Sequence, residues 1–203
     1  MTTFYLIRHG QIDANLGRLW HGSTDSPLNE AGLAQADKMA DTLSAKYPHI
    51  SKVYASPLKR TLKTAQALSR CFEQDPVTHQ DLREYCVGEW EGHSYDRINE
   101  EYGFLNSIEK DNDFAPPGGD SLNEVRDRML RAFDEIRQAH DGEHIAIVSH
   151  GAAIAIALAT LIDGQAFPFY DYHMDNTGIS VLKWGDKPSL VEFNGTQHLE
   201  QAL

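Results

Sequence analysis

The sequence predicts an α/β chain, a three-layer α/β/α sandwich around a mostly parallel central sheet. Three observations carry that prediction. Phe4–Ile7 is apolar throughout and only four residues long, as in a strand covered on both faces. Two more strand-like stretches, at 50–56 and at 144–149, follow at wide intervals. Between them lie longer segments with apolar residues at helical spacing, and strands alternating with helices are the signature of a helix-covered parallel sheet.

The elements follow in order. After the first strand, Gly17, Gly22 and Ser26-Pro27 mark a loop. Asn29 is a helix N-cap, with Leu28 and Leu33 placed to form a hydrophobic staple. Leu33, Ala36, Ala40, Leu43 and Tyr47 form one stripe of that helix, and Pro48 ends it. Pro57 pre-sets the next helix, which runs to about Arg70 with Leu58, Leu62, Ala65 and Leu68 inward. Residues 76–79 read as a short extended piece, 82–92 as irregular, and 94–115 as one or two short helices. Pro116-Pro117-Gly118-Gly119 is a turn, and Ser121 with Glu124 makes a capping box for a helix carrying Val125, Met129, Ala132 and Ile136. The stretch 151–162 is apolar on every side, as expected of a helix buried against a sheet. Strands at 179–184 and 190–193, separated by Gly185-Asp186 and Pro188, read as a hairpin.

With 203 residues and no internal linker, the expectation is a single domain over 1–203, with a short lid-like insertion around 93–120. The formal net charge of −12 disfavours a nucleic-acid or anionic-membrane partner, although it does not forbid a small basic pocket. The two cysteines, Cys71 and Cys86, lie in no metal-ligand spacing and suit a reducing compartment. A secretory leader pattern and a run of 18 apolar residues are both missing from the sequence, so the expected location is cytoplasmic. The expected assembly is a monomer or homodimer.

The chemistry gathers where strands stop. "LIRHG" at 6–10 and "VSHG" at 148–151 are two strand ends with a titratable ring followed by glycine. Parallel neighbours would set both corners on one sheet edge, where open α/β sheets bind ligands. His9 is a nitrogen base largely neutral near pH 7 and so able to attack phosphorus. Arg8 offers planar donors for phosphoryl oxygens. Gly10 permits a sharp turn. His150 and Gly151 open the apolar helix, whose orphan amides attract anions. Arg60, in the first turn of its helix, points back toward the same edge, while Lys59 and Lys63 face solvent and Ser56 reads as a cap. Glu84 in "LREYCVGEWEG" is the candidate proton donor, with a pKa expected to rise beside an incoming dianion; Glu89 and Glu91 flank Trp90 in what reads as scaffold. The histidines show no metal-ligand spacing, and no P-loop or dinucleotide fingerprint occurs.

Taken together, "LIRHG", "SPLKRTLKTA" at 56–65, "LREYCVGEWEG" at 82–92, "PPGGDS" at 116–121 and "VSHG" resemble the histidine phosphatase superfamily, and within it the phosphoglycerate-mutase-like branch, over about residues 3–193. The resemblance implies the phosphoglycerate-mutase-like fold and a phosphohistidine formed on His9. It implies that Arg8 and Arg60 bind phosphoryl oxygens, that His150 steadies the transferring group and that Glu84 acts first as acid and then as base. It implies no metal or organic cofactor. Many relatives carry glutamate after Arg-His-Gly; here that position is Gln11, and Asn15 stands where an asparagine is usual. Gln11, Asn15 and Gly151 are accordingly expected at the phosphate, His21 at the mouth, and Tyr172 and Asn176 in the wall.

The segment between Glu84 and Pro116 is short and acidic and has no pair of adjacent arginines. It suits a phosphomonoesterase acting on a small phosphorylated metabolite. The alternatives are a phosphoglycerate-type mutase and a noncatalytic phosphate-dependent binding protein. Tyr95, Phe104, Leu105 and Phe114 either pack that segment onto the body or form an apolar mouth.

Overall fold

The computed structural model describes residues 1–200. Strand β1 (Thr2–Arg8) leads to a one-turn helix α1 (Asp13–Leu16), helix α2 (Glu30–Lys46), strand β2 (Ile50–Ala55), helix α3 (Lys59–Arg70) and the two-residue strand β3 (Val77–Thr78). Two short helices, α4 (Tyr95–Tyr102) and α5 (Phe104–Lys110), precede α6 (Leu122–Ala139), strand β4 (His144–Ser149) and α7 (Gly151–Asp163). The antiparallel pair β5 (Ile179–Trp184) and β6 (Pro188–Gly195) and a last turn α8 (Gln197–Glu200) complete the order.

The six strands lie in the order β3-β2-β4-β1-β5-β6. Pairing is parallel from β3 through β1 and antiparallel beyond it. The fold is therefore the expected α/β/α sandwich, with a hairpin closing one side of a parallel sheet. Strand β1 shows why both faces are covered. Phe4 and Leu6 point into a core built with α6 and α7, whereas Tyr5 and Ile7 point into a second core built with α2 and α3.

Two expectations about helix faces need correction. Leu33 is 39% exposed, and the inward stripe of α2 is Gly32, Ala36, Met39, Ala40 and Leu43. The cause is backbone contact: a Cβ on Gly32 would lie 2.1 Å from the Gln11 carbonyl oxygen, so the helix turns its glycine toward the loop after β1 and Leu33 outward. Helix α3 begins after Pro57, and Leu58 and Leu62 are only half-buried. Its buried face is Arg60, Thr61, Thr64, Ala65 and Leu68, polar at the end nearest the sheet edge. The Asn29 cap and the Ser121–Glu124 capping box form as expected. Among the described residues no helix is long and apolar enough to cross a membrane.

Candidate active site

Register decides the meeting of the two His-Gly corners. Ile7 pairs with Val148 and Arg8 with Ser149, so the next residue on each strand, His9 and His150, emerges at the same edge. The His9 amide donates to the Ser149 carbonyl at 3.1 Å, and the two imidazole rings stand edge to face with centroids 5.3 Å apart.

The tautomers follow from the partners. His9 Nδ1 lies 2.7 Å from the Gly10 carbonyl, which only accepts, so Nδ1 carries the proton and Nε2 is the nitrogen with the lone pair. His9 is 4% exposed, and burial, then the charges of Arg60 and Arg8, push its pKa well below the ordinary histidine value. The ring is neutral at pH 7. His150 is completely buried and its pKa is also pushed well below normal, first by burial and then by Arg60 and His9. Its Nδ1 accepts from Arg60 Nε at 3.2 Å, so its proton is on Nε2 and is donated to Ser56 Oγ at 2.8 Å. Ser56, read as a cap from sequence, is the second anchor of that ring.

Arg8 sends Nη1 to the Met174 carbonyl at 2.6 Å, while its Nε is buried with no partner. A buried guanidinium N–H without an acceptor is costly and marks a place for an anion. The residue across from it is Gly151, where a Cβ would sit 3.3 Å from that Nε; glycine lets the guanidinium lie over the start of α7. Arg60 is also fully buried, but most of its donors are spent within the protein. Besides His150 it donates to the carbonyls of Thr24, His21 and Gly22. Its guanidinium ties down the loop after α1, and the opposite side of that loop is held by Glu91, which accepts from the backbone and hydroxyls of Ser23 and Thr24. Burial raises the Glu91 pKa, but those hydrogen bonds outweigh it and hold the carboxylate below its usual range. Gly22 is required there, since a Cβ would meet the Tyr85 carbonyl oxygen at 2.2 Å.

Glu84 reaches the same edge from the segment after β3. Its carboxylate accepts from the amides of Ala152 and Ala153 at the start of α7, at 3.2 and 2.8 Å, and from its neighbour Tyr85. The backbone that carries it is fixed by Arg128, a buried guanidinium that donates to the carbonyls of Asp81, Arg83 and Glu84 and pairs with Asp120. Ser149 Oγ adds a bond to the Leu82 carbonyl at 2.7 Å.

A cavity of about 490 Å³ opens in front of this cluster. Arg8, Asn15, Glu84 and Gly151 line it, as expected from sequence, and so does Asn176. Asn176 Nδ2 donates to the His9 carbonyl at 2.9 Å and to Asn15 Oδ1 at 3.2 Å. His9 and His150 are not in the lining but adjoin it through Arg8 and Gly151, Arg60 lies against His150, and Gln11 is outside the lining. Its side-chain oxygen accepts from Asn29 Nδ2 at 3.1 Å, on the α2 side, away from the cavity lining. His21 and Tyr172 do not line the cavity either; His21 is bonded to Ser26, and Tyr172 stacks edge-on against Phe193. Tyr95, Phe104 and Leu105 both pack and line, whereas Phe114 lies near the Trp90 ring. Arg18, Asn99, Tyr170 and His173 line the cavity and had no signal in the sequence, since all four lie outside the recurrent motifs. Among the described residues no group of three or more His, Cys, Asp or Glu is arranged to hold a metal ion.

The family described as histidine phosphatase superfamily (branch 1) matches residues 4–196. Phosphoglycerate mutase-like protein 4 of Arabidopsis thaliana is 38% identical over 203 residues, covering 97% of this chain and 86% of that protein. Phosphoserine phosphatase 1 of Hydrogenobacter thermophilus is 27% identical, covering 98% and 95%. The crystal structure of a histidine-to-alanine mutant of Entamoeba histolytica phosphoserine phosphatase, in complex with phosphoserine, superposes with a TM-score of 0.87 at 29% identity, covering 98% of this chain and all of that one.

Proposed function

The chain belongs to the histidine phosphatase superfamily, in its phosphoglycerate-mutase-like branch, and from that premise we propose that it is a phosphomonoesterase that passes a phosphoryl group through His9. The observation that carries the reading is the state of His9: neutral, pinned through Nδ1 to Gly10, with Nε2 unprotonated, next in sequence to Arg8, whose Nε is buried and unpartnered. In the first step His9 Nε2 attacks phosphorus as the ester P–O bond breaks, and the leaving oxygen takes a proton from the Glu84 carboxyl group. In the second, water gives a proton of its own to the Glu84 carboxylate and attacks phosphorus as the P–N bond breaks, releasing orthophosphate and neutral His9. Arg8 and the Gly151 amide hold the equatorial oxygens and the charge that develops on them. Arg60 and His150 act behind this pair. Their mutual bond and Ser56 fix the wall against which the phosphoryl group sits. Tyr95, Ile98, Asn99, Phe104 and Leu105, from the insertion around 93–120, supply part of the cavity wall.

Relatives named as phosphoserine phosphatases favour hydrolysis, and the relative named mutase-like keeps isomerisation as the second reading. Replacing His9 by alanine is expected to abolish hydrolysis of p-nitrophenyl phosphate while circular dichroism and the melting curve stay native-like. Acid-labile, alkali-stable label is expected on the wild-type protein after rapid quench with a radiolabelled ester. Full activity in the His9→Ala protein sinks the assignment. With 3-phosphoglycerate and a bisphosphorylated primer, free phosphate is expected to outpace the 2-phospho isomer; the reverse order makes the protein a mutase.

A further inference from the structure

The cavity has two chemically different ends. At the sheet edge stand Arg8, Glu84, Asn15 and Asn176. Away from it the wall is Trp20, Ile98, Phe104, Leu105, Phe169 and Tyr170. Trp20 spends its one polar atom on the Tyr85 carbonyl at 2.9 Å, so it offers the cavity only ring surface. Phe104 meets the Trp20 and Trp90 rings edge-on at 5.7 and 5.8 Å, which makes this wall rigid.

Apart from the Tyr95 and Tyr170 hydroxyls, the polar groups at that end are poorly suited to an anion. Asn99 uses its side-chain oxygen on the Leu105 amide. His173 is held in the neutral form, since burial and then Arg8 lower its pKa. Arg18 is the only full positive charge there, its side chain is 69% exposed, and it faces Asp96 at 3.5 Å. A solvated, partly neutralised guanidinium contributes little to holding a carboxylate. A cavity of about 490 Å³ also takes a ligand well beyond a three-carbon ester.

We propose that the substrate's leaving group is an uncharged alcohol with a large apolar or aromatic surface, seated against Trp20, Phe104, Leu105 and Phe169, rather than a small carboxylated alcohol. This rests on the phosphomonoesterase reading and narrows it. Burying an aromatic group on this wall gains affinity in proportion to the area removed from water, whereas a carboxylate placed there loses its hydration without a buried partner.

The test compares four esters with similar alkyl leaving groups: 3-phenylpropyl phosphate, glycerol 3-phosphate, phosphoserine and 3-phosphoglycerate. The expected kcat/KM for 3-phenylpropyl phosphate exceeds each of the others by at least about tenfold, with most of the difference in KM. Leu105→Asn and, at the more exposed wall position, Tyr170→Ser are each expected to lower the ratio of 3-phenylpropyl phosphate to glycerol 3-phosphate kcat/KM by about fivefold. A higher kcat/KM for phosphoserine or 3-phosphoglycerate, or an unchanged ratio in both variants, overturns this inference while leaving the phosphatase reading standing. Failure to hydrolyse any of the four overturns both.

Discussion

The residues that the sequence made conspicuous divide into those that line the cavity and those set directly beside that lining. Arg8, Glu84, Asn15 and Gly151 reach it. His9 and His150 stand together because their strands are neighbours in register, which the paired His-Gly endings foreshadowed. Arg60 was expected at the edge of the sheet from its place in the first turn of a helix, and it is there, yet its donors go to carbonyls of residues 21–24. Those acceptors are backbone groups whose positions depend on the path of a loop, and no pattern of side chains announces them. Gln11 was misplaced for a similar reason, since its partner Asn29 is a helix cap 18 residues away. Glu84 supplies the sharpest single-residue test. If it is the proton donor, Glu84→Gln is expected to reduce kcat about 10²–10⁴-fold with an alkyl phosphate and less than about tenfold with p-nitrophenyl phosphate, whose leaving group needs no acid. Equal losses on both substrates would remove it from the first step.

At the level of elements, periodicity located α2, α3 and α6, a long run apolar on every side located α7, and short strand-like runs located β1, β2 and β4. The two short helices α4 and α5 formed within a segment whose sequence is only weakly periodic, because their stability comes from docking Ile98, Phe104 and Ile108 into the core rather than from an amphipathic pattern of their own. The turn at 116–119 has a role that its composition alone did not disclose. It packs against the segment that carries Glu84, with the Glu89 amide donating to Pro117 and the Asp120 amide to Cys86. Gly88 lies at the contact with φ of +55°, and a Cβ there would meet the Pro117 carbonyl oxygen at 2.1 Å. Gly88→Ala is therefore expected to cost about 1–3 kcal/mol from backbone conformation, with the clash in addition. Calorimetry should record a melting point lower by at least about 2 °C, together with reduced kcat through displacement of Glu84. A melting point within 1 °C, on the order of ordinary surface substitutions, would mean that the turn and the segment are not rigidly joined.

For the molecule as a whole, the layered architecture was legible because every strand of the parallel part is separated from the next by a helix, and the hairpin because a Gly-Asp pair and a proline interrupt two apolar runs. What was hidden is how much neutral histidine the fold encloses. His9 and His150 are both buried with pKa values depressed well below normal. In the unfolded chain a histidine titrates near 6.5. Below that pH the unfolded state binds protons that the folded state refuses, so the stability these groups leave intact above about pH 6.5 is lost progressively as pH falls toward their folded values. Each contributes a slope of at most about 1.4 kcal/mol per pH unit. The urea midpoint is expected to be flat between pH 8 and 7 and to fall from 6.5 to 5.5, before carboxylates protonate. A flat midpoint down to pH 5.5 would show that these rings are readily hydrated.

The central position of β1 also sets a timetable. That strand precedes both of its neighbours along the chain, β4, beginning at His144, and β5, ending at Trp184. At typical synthesis rates of about 5–20 residues per second, roughly 10 to 30 s separate the appearance of His9 from that of the strands that enclose it. During that interval an apolar strand leading into His9 has no native partner on either side, and the helices α2 and α3 can cover only one of its faces. The strand that carries the candidate site is made before either of the strands that enclose it.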